Sequence, residues 1–190
     1  TSYNDTGLSA STSYTYRVRA HNTGGNSGYS NEASATTATP PPAEPSNLAA
    51  TANGTSQIDL TWTDNSNDED GFKIERHAGD GNFVEIANLG ADVTSFNDSG
   101  LNPGTTYTYQ IRAFNSGGNS TYDGPVSETT TPLPPADPDN LTATANGGFQ
   151  VDLTWNDNAN NEDGFSIERH DGDGSFAEIA VVGANVTSYN

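Results

Sequence analysis

The sequence predicts an all-β chain of tandem β-sandwiches, one complete domain flanked by two partial ones. Three observations carry this reading: an internal repeat at a fixed offset, short runs that alternate in polarity, and proline-rich stretches recurring at the same interval. Sliding the 190 residues along themselves brings Trp62 onto Trp155, Leu48 onto Leu141, Tyr14 onto Tyr107 and Phe96 onto Tyr189, each pair 93 positions apart. Self-similarity at one period marks a repeated structural unit. Across that offset TWTDNSNDEDGFKIERH becomes TWNDNANNEDGFSIERH, and SYTYRVRAHNTGGNS becomes TYTYQIRAFNSGGNS, with no insertion.

The proline-rich stretches ATPPPAEP at 38–45 and TPLPPADP at 131–138 set the phase of the repeat. Such segments favour extended, solvated connectors. The expected organisation is therefore the C-terminal part of a repeat over 1–37, a linker over 38–44, a complete repeat over 45–131, a linker over 132–137 and the N-terminal part of a further repeat over 138–190.

Within 45–131, runs of alternating polarity are separated by Gly, Asn, Asp and Pro, the pattern of half-buried strands. Ile58, Leu60 and Trp62 share one parity in the first such run. Phe72 and Ile74 do so in the next, and Tyr107, Tyr109, Ile111 and Ala113 in a third. Asp59, Thr61, Lys73, Glu75, Thr108 and Arg112 take the outward positions, because successive strand side chains point to opposite faces. Gly79-Asp80-Gly81, repeated as Gly172-Asp173-Gly174, reads as a hairpin turn, since Gly supplies the positive φ that tight connections need. The GGNS stretches at 24–27 and 117–120 lack the Lys and helix of a phosphate loop and read as the turn between the last strands. Trp62 is expected between the two sheets, and Glu75 and Arg112 are expected to meet across neighbouring strands.

A Trp in the second strand, the Leu101-x-Pro103-x-x-x-Tyr107 run, and then Ala113 and Asn115 together resemble fibronectin type III domains, which are immunoglobulin-like sandwiches. The resemblance covers the whole chain. It implies that Tyr107 and Tyr14 are the family's corner tyrosines, each closing its hydroxyl onto nearby backbone. The first copy has Ala10 in place of the Pro and keeps Leu8. Trp62-x-Asp64-Asn65 followed by Asp70-Gly71-Phe72-x-Ile74-Glu75-Arg76 is most similar to bacterial members, which implies a secreted or cell-surface protein.

Composition limits the partners. The formal charge is −19 with six Lys plus Arg, which argues against nucleic acid, whose affinity comes from cationic contacts with phosphates. An anionic membrane surface is disfavoured on the same ground, and no apolar run is long enough to insert into a bilayer. With no Cys, neither a disulfide framework nor a thiolate metal site is available. No Gly-x-Ser-x-Gly elbow occurs, and His21 becomes Phe114 one period later, while His77 and His170 sit at the outward end of a strand; no hydrolytic constellation is indicated. The chain is expected not to be an enzyme. Members that bind integrins carry an Arg-Gly-Asp signal, absent here, and the Lys that an isopeptide bond needs, Lys73, becomes Ser166 in the next copy.

The most suggestive polar cluster is Asp64, Asn65, Asp68, Glu69 and Asp70, repeated as Asp157, Asn158, Asn161, Glu162 and Asp163. Hard oxygen ligands on one loop suit calcium, and Asp64, Asp68, Glu69, Asp70, Asp157, Glu162 and Asp163 are its candidate ligands. The EF-hand spacing fails, because its first position falls on Ser66 in one copy and Ala159 in the other. The competing and preferred reading is a polar loop whose carboxylates and amides cap its own turns, with no cofactor. Asn-x-Ser/Thr triplets at Asn4, Asn53, Asn97, Asn119, Asn140 and Asn185 are glycosylation candidates if the source can modify them, and ordinary turn residues otherwise.

Near-identical domains with short stiff linkers suit a structural or adhesive segment of an extracellular fibre. The expected partners are further copies of the repeat, head to tail, the strands of 1–37 completing the open sandwich of 138–190, together with a cell-surface or matrix partner. The resemblance offers a second role, spacer domains of a secreted bacterial polysaccharide hydrolase or protease. A third is a calcium- or carbohydrate-binding module.

Overall fold

The computed structural model describes residues 1–172 and 174–190, so that Asp173 of the second predicted hairpin lies outside the described residues. It resolves into two compact units, Thr1–Thr131 and Pro132–Asn190. No helix of the described residues is long and apolar enough to cross a membrane.

In the first unit, residues 1–37 contribute β1 (Ser13–Tyr16), β2 (His21–Asn22), β3 (Gly25–Asn26) and β4 (Ala33–Thr36). β1 pairs antiparallel with β4, and β2 with β3 across the GGNS turn. Next come β5 (Ser46–Ala52), β6 (Gln57–Thr63), β7 (Gly71–His77), β8 (Val84–Gly90), β9 (Ser95–Ser99), β10 (Thr106–Asn115), β11 (Gly118–Asn119) and β12 (Asp123–Thr129). They form two sheets, β5-β6-β9 and β11-β10-β7-β8 with β12 also on β10. All pairings are antiparallel, and the outward side chains remain solvated while the inward ones close one core.

That core is the one the alternation predicts. Ile58, Leu60, Phe72, Ile74, Tyr109, Ile111 and Ala113 are fully buried, with Trp62 and Tyr107 nearly so. Trp62 packs on Phe72 with ring centroids 5.7 Å apart. Arg112 Nη2 reaches Glu75 Oε1 at 3.3 Å, on a diagonal, because the register sets Gln110 opposite Glu75 and Lys73 opposite Arg112. Gly71, at the start of β7, permits a close approach of strands: a Cβ there would lie 1.8 Å from the Leu89 carbonyl oxygen. A side chain and that pairing exclude each other.

The corner tyrosines behave as the resemblance implies. Tyr107 Oη accepts from the Asn102 amide at 3.0 Å, and Tyr14 Oη from the Ser9 amide at 2.9 Å. Thr130 Oγ1 donates to the Asn102 carbonyl at 2.6 Å and accepts from the Thr105 amide at 3.0 Å. Thr37 reproduces this pair of bonds with Ser9 and Thr12.

The first linker differs from a freely solvated connector. Within 38–44 Pro42 is buried and Thr39 half-buried while the other residues are exposed, and Asn115 Nδ2 donates to the Pro40 carbonyl at 3.1 Å. Gly117 explains why the chain can lie there: a Cβ at this turn residue would sit 2.2 Å from the Thr39 carbonyl oxygen. Residues 132–137 are exposed throughout.

The second unit contains β13 (Asp139–Ala145), β14 (Val151–Asn156), β15 (Gly164–Arg169), β16 (Ala177–Gly183) and β17 (Ser188–Tyr189). They form the sheets β13-β14-β17 and β15-β16. Trp155 and Ile167 are buried, and Trp155 packs on Phe165 at 5.5 Å. Beside them an open hollow of about 210 Å³ is lined by Pro138, Leu141, Trp155, Phe165 and Ile167 among others.

Candidate cation-binding loop

The loop between β6 and β7 is built from short polar side chains that bond their own backbone. Asp64 Oδ1 accepts from the Ser66 amide at 2.9 Å, the local bond that makes Asp a turn former. Ser66 Oγ donates to Asp68 Oδ1 at 2.8 Å. Asn65 Nδ2 donates to the Glu44 carbonyl and to Ser46 Oγ, both at 3.0 Å, and Asn115 Nδ2 donates to the Asp68 carbonyl at 3.2 Å. The Asp70 amide donates to the Phe114 carbonyl at 2.7 Å, which ties the loop to the end of β10.

Glu69 points the other way, into the protein. It is 8% exposed, and Oε1 accepts from the Asp92 amide at 3.2 Å. Its Oε2 is buried with no hydrogen-bonding partner. Burial raises the Glu69 carboxyl, but the backbone amides of Glu69 itself and of Asp92 outweigh it and hold it below the usual carboxylate range; Ser66 and Asp64 lie near enough to add to this but form no hydrogen bond to Oε2, the Ser66 hydroxyl being given to Asp68. Carboxylate oxygens of Asp64, Glu69 and Asp92 lie within 4.8 Å of one another. Among the described residues, no Lys or Arg is paired with any of the three.

The second copy keeps the arrangement. Asp157 Oδ1 accepts from the Ala159 amide at 3.0 Å, and Glu162 Oε1 from the Asn185 amide at 3.1 Å. Glu162 Oε2 is again buried and unpartnered. Asp92 and Asn185 hold the same turn, with φ of 60° and 59°, a left-handed conformation that Asp and Asn tolerate well.

Of the sequence candidates, Asp64 and Glu69 come together, and Asp157 and Glu162 occupy the equivalent places in the second copy. Asp68, Asp70 and Asp163 are exposed and stand outside the three-carboxylate group. Asp92 was not among the candidates; its distance in sequence from Glu69 hides it, and its alignment with Asn185 in the next repeat was the available signal. The six glycosylation candidates are all exposed.

Two further polar assemblies escaped the sequence reading. Arg76 Nη1 meets the buried Asp98 Oδ2 at 2.6 Å, and Tyr109 Oη donates to the same oxygen at 2.9 Å. Burial and then that bond raise the Tyr109 hydroxyl. Tyr16 Oη donating to Asp5 Oδ2 at 3.1 Å is the counterpart one period earlier. His77 and His170 serve their hairpins: each Nδ1 accepts a glycine amide at 3.1 Å, from Gly79 and Gly172, and each ring packs edge-on against Phe83 or Phe176.

Comparison with known proteins places this architecture in a family. The profile of the fibronectin type III domain matches residues 43–129. Endoglucanase B of Cellulomonas fimi is 35% identical over 138 residues, covering 67% of this chain and 13% of that protein. Chitinase A1 of Niallia circulans is 32% identical over 120 residues, covering 60% of this chain and 16% of that protein. The chain thus spans a small fraction of the curated relatives it matches. Among solved structures, the chicken CNTN1 FN1–FN3 domains align with 23% identity and a TM-score of 0.49, over 68% of this chain and 46% of that one. With its two antiparallel sheets, its corner tyrosine and the profile match, the segment 43–129 is a fibronectin type III domain.

Proposed function

We propose that the chain is a non-catalytic spacer of an extracellular bacterial protein that acts on polysaccharide. The similarity to an endoglucanase and a chitinase, over a small part of each, is the observation that supports this reading. The fold fits the task, because a sandwich with a Pro-rich connector sets a distance between modules without needing a site of its own. The sequence of the flanking coding region tests it first: an adjoining glycoside hydrolase domain is the expected finding. In that parent protein, excising one 93-residue period should alter hydrolysis of insoluble polysaccharide and leave turnover of a soluble oligosaccharide unchanged. Equal loss on both substrates would reject a spacer role.

A second reading, a head-to-tail fibre, has its own observation. Strands β13 to β17 leave Leu141 and Val151 exposed, whereas in 45–131 their counterparts Leu48 and Ile58 are covered and the corresponding strands are joined by β10. Residues 8–37 resemble 101–130 in sequence and so carry strands of the kind that would cover this face. Sedimentation of the 190-residue chain over a range of concentrations distinguishes the two: end-to-end oligomers favour the fibre, and a monomer at all concentrations rejects assembly through separate copies.

A further inference from the structure

We infer that Asp64, Glu69 and Asp92 form a calcium site linking the β6–β7 loop to the β8–β9 turn. The three carboxylates converge within 4.8 Å. The second observation is Glu69 itself, more than nine-tenths buried, with an Oε2 that no donor satisfies. A buried, unpartnered carboxylate oxygen is costly, and this one recurs at Glu162 with the same turn geometry around it. A shared ligand requirement accounts for its presence in both copies.

The chemistry selects a hard divalent cation. All three donors are carboxylate oxygens, and among the described residues no cationic side chain is paired with them. Calcium accepts 6–8 oxygens in irregular geometry, whereas magnesium demands a near-ideal octahedron. Asp92 is exposed, so water fills the remaining positions and the site is weak, in the range of extracellular modules at roughly 10⁻⁴–10⁻³ M. The second copy has Asn185 where the first has Asp92, which removes one ligand charge and makes it the weaker of the two.

The test is titration of the whole 190-residue chain with calcium chloride at constant ionic strength, followed by calorimetry and by amide chemical shifts. Binding at roughly 10⁻⁴–10⁻³ M, with the largest shifts at Asp64, Glu69 and Asp92, is expected. Asp92→Asn should weaken it by about tenfold or more, since affinity follows ligand charge count. That variant copies the residue the second repeat carries at the same backbone angle, so its fold is preserved. Asp70→Asn removes the same charge from the same loop outside the group, and should leave binding unchanged. Equal weakening by the two variants would mean diffuse screening of an acidic protein and would overturn the site. So would a shift pattern spread over the surface, or no response to calcium beyond that to sodium chloride.

Discussion

Closely matching strand sequences occur in 45–131 and in 138–190 and do not bury equally. Trp62 and Trp155 are 5% and 8% exposed, and Ile74 and Ile167 are 0% and 8%. At the periphery the copies part: Ile58 is fully buried, while Val151, one period on, is 51% exposed. Leu48 is half-buried and Leu141 is 68% exposed. The Trp thus finds cover within the strands of 138–190 alone, whereas its aromatic neighbour does not: Phe165 is half-buried where Phe72 is fully buried. The edges of the core depend on β10 and β12, which supply Tyr107, Tyr109, Ile111 and Val126. The ion pairs of the two copies also differ. Arg76 is paired with buried Asp98, whereas Arg169 turns to Asp171, with both side chains well exposed.

The largest expected effect is at the tryptophans. Trp62→Ala should cost about 3–5 kcal/mol, enough to unfold a small domain, and Trp155→Ala should cost less because its surroundings are open and can relax. The chain has two Trp, one in each compact unit, so in each variant the remaining fluorescence follows the unmutated unit as an internal reference and circular dichroism follows the loss of strands in the mutated one. Equal costs would show that β10 and β12 matter less to the core than their contacts suggest.

Glycine at the start of the third strand gives the next contrast. Gly71→Ala drives a Cβ to 1.8 Å from the Leu89 carbonyl, and Gly164→Ala to 2.1 Å from that of Val182. A destabilisation of about 1–3 kcal/mol or more is expected at Gly71, and a smaller one at Gly164, where β15 and β16 form a two-stranded sheet free to shift. Thermal unfolding of both variants checks the order.

The arginines sharpen the comparison further. Arg76→Gln should cost about 1.5–3 kcal/mol, as a bond to a buried charge does, and Arg169→Gln at most about 1 kcal/mol, as for an exposed pair. Chemical denaturation that ranks them the other way would contradict the burial of Asp98.

The smallest effect is a pH dependence of the complete domain. Burial raises the Glu75 carboxyl, but Tyr122, Gln110 and Arg112 bond or attract it and bring it below its ordinary 4.5. Glu69 is lowered likewise. Groups lowered on folding contribute stability above their unfolded pKa and lose it as the pH falls through the folded value. The melting temperature should therefore be steady above about pH 5 and decline below 4.5. Glu75→Gln should flatten that decline.

Much of the fold was legible because a strand's period is two residues: every inward residue named from alternation in 45–131 is buried. The corner tyrosines and the GGNS turns were legible for a different reason, since their bonds are local in sequence. The cation loop was legible in part. Asp64 and Glu69 lie in one loop, but Asp92 joins them only through the turn after β8, which no local spacing announces. Asp98 was hidden in the same way, its burial depending on Arg76 and Tyr109 from other strands. The first linker read as solvated because proline favours exposed chain, and nothing in its own residues shows that Gly117 leaves room for it.

That room bears on survival outside a cell. A protease needs several residues of free, extended chain to draw into its cleft, and nicking concentrates at exposed connectors. Residues 38–44 are mostly exposed, but Pro42 is buried and Thr39 and Pro40 are laid against the Gly117 turn, so the run of free chain is interrupted in its middle. One missing methyl group on a neighbouring turn thus shortens the free run at this join, whereas 132–137, exposed throughout, keeps its full length and is where a protease would cut first.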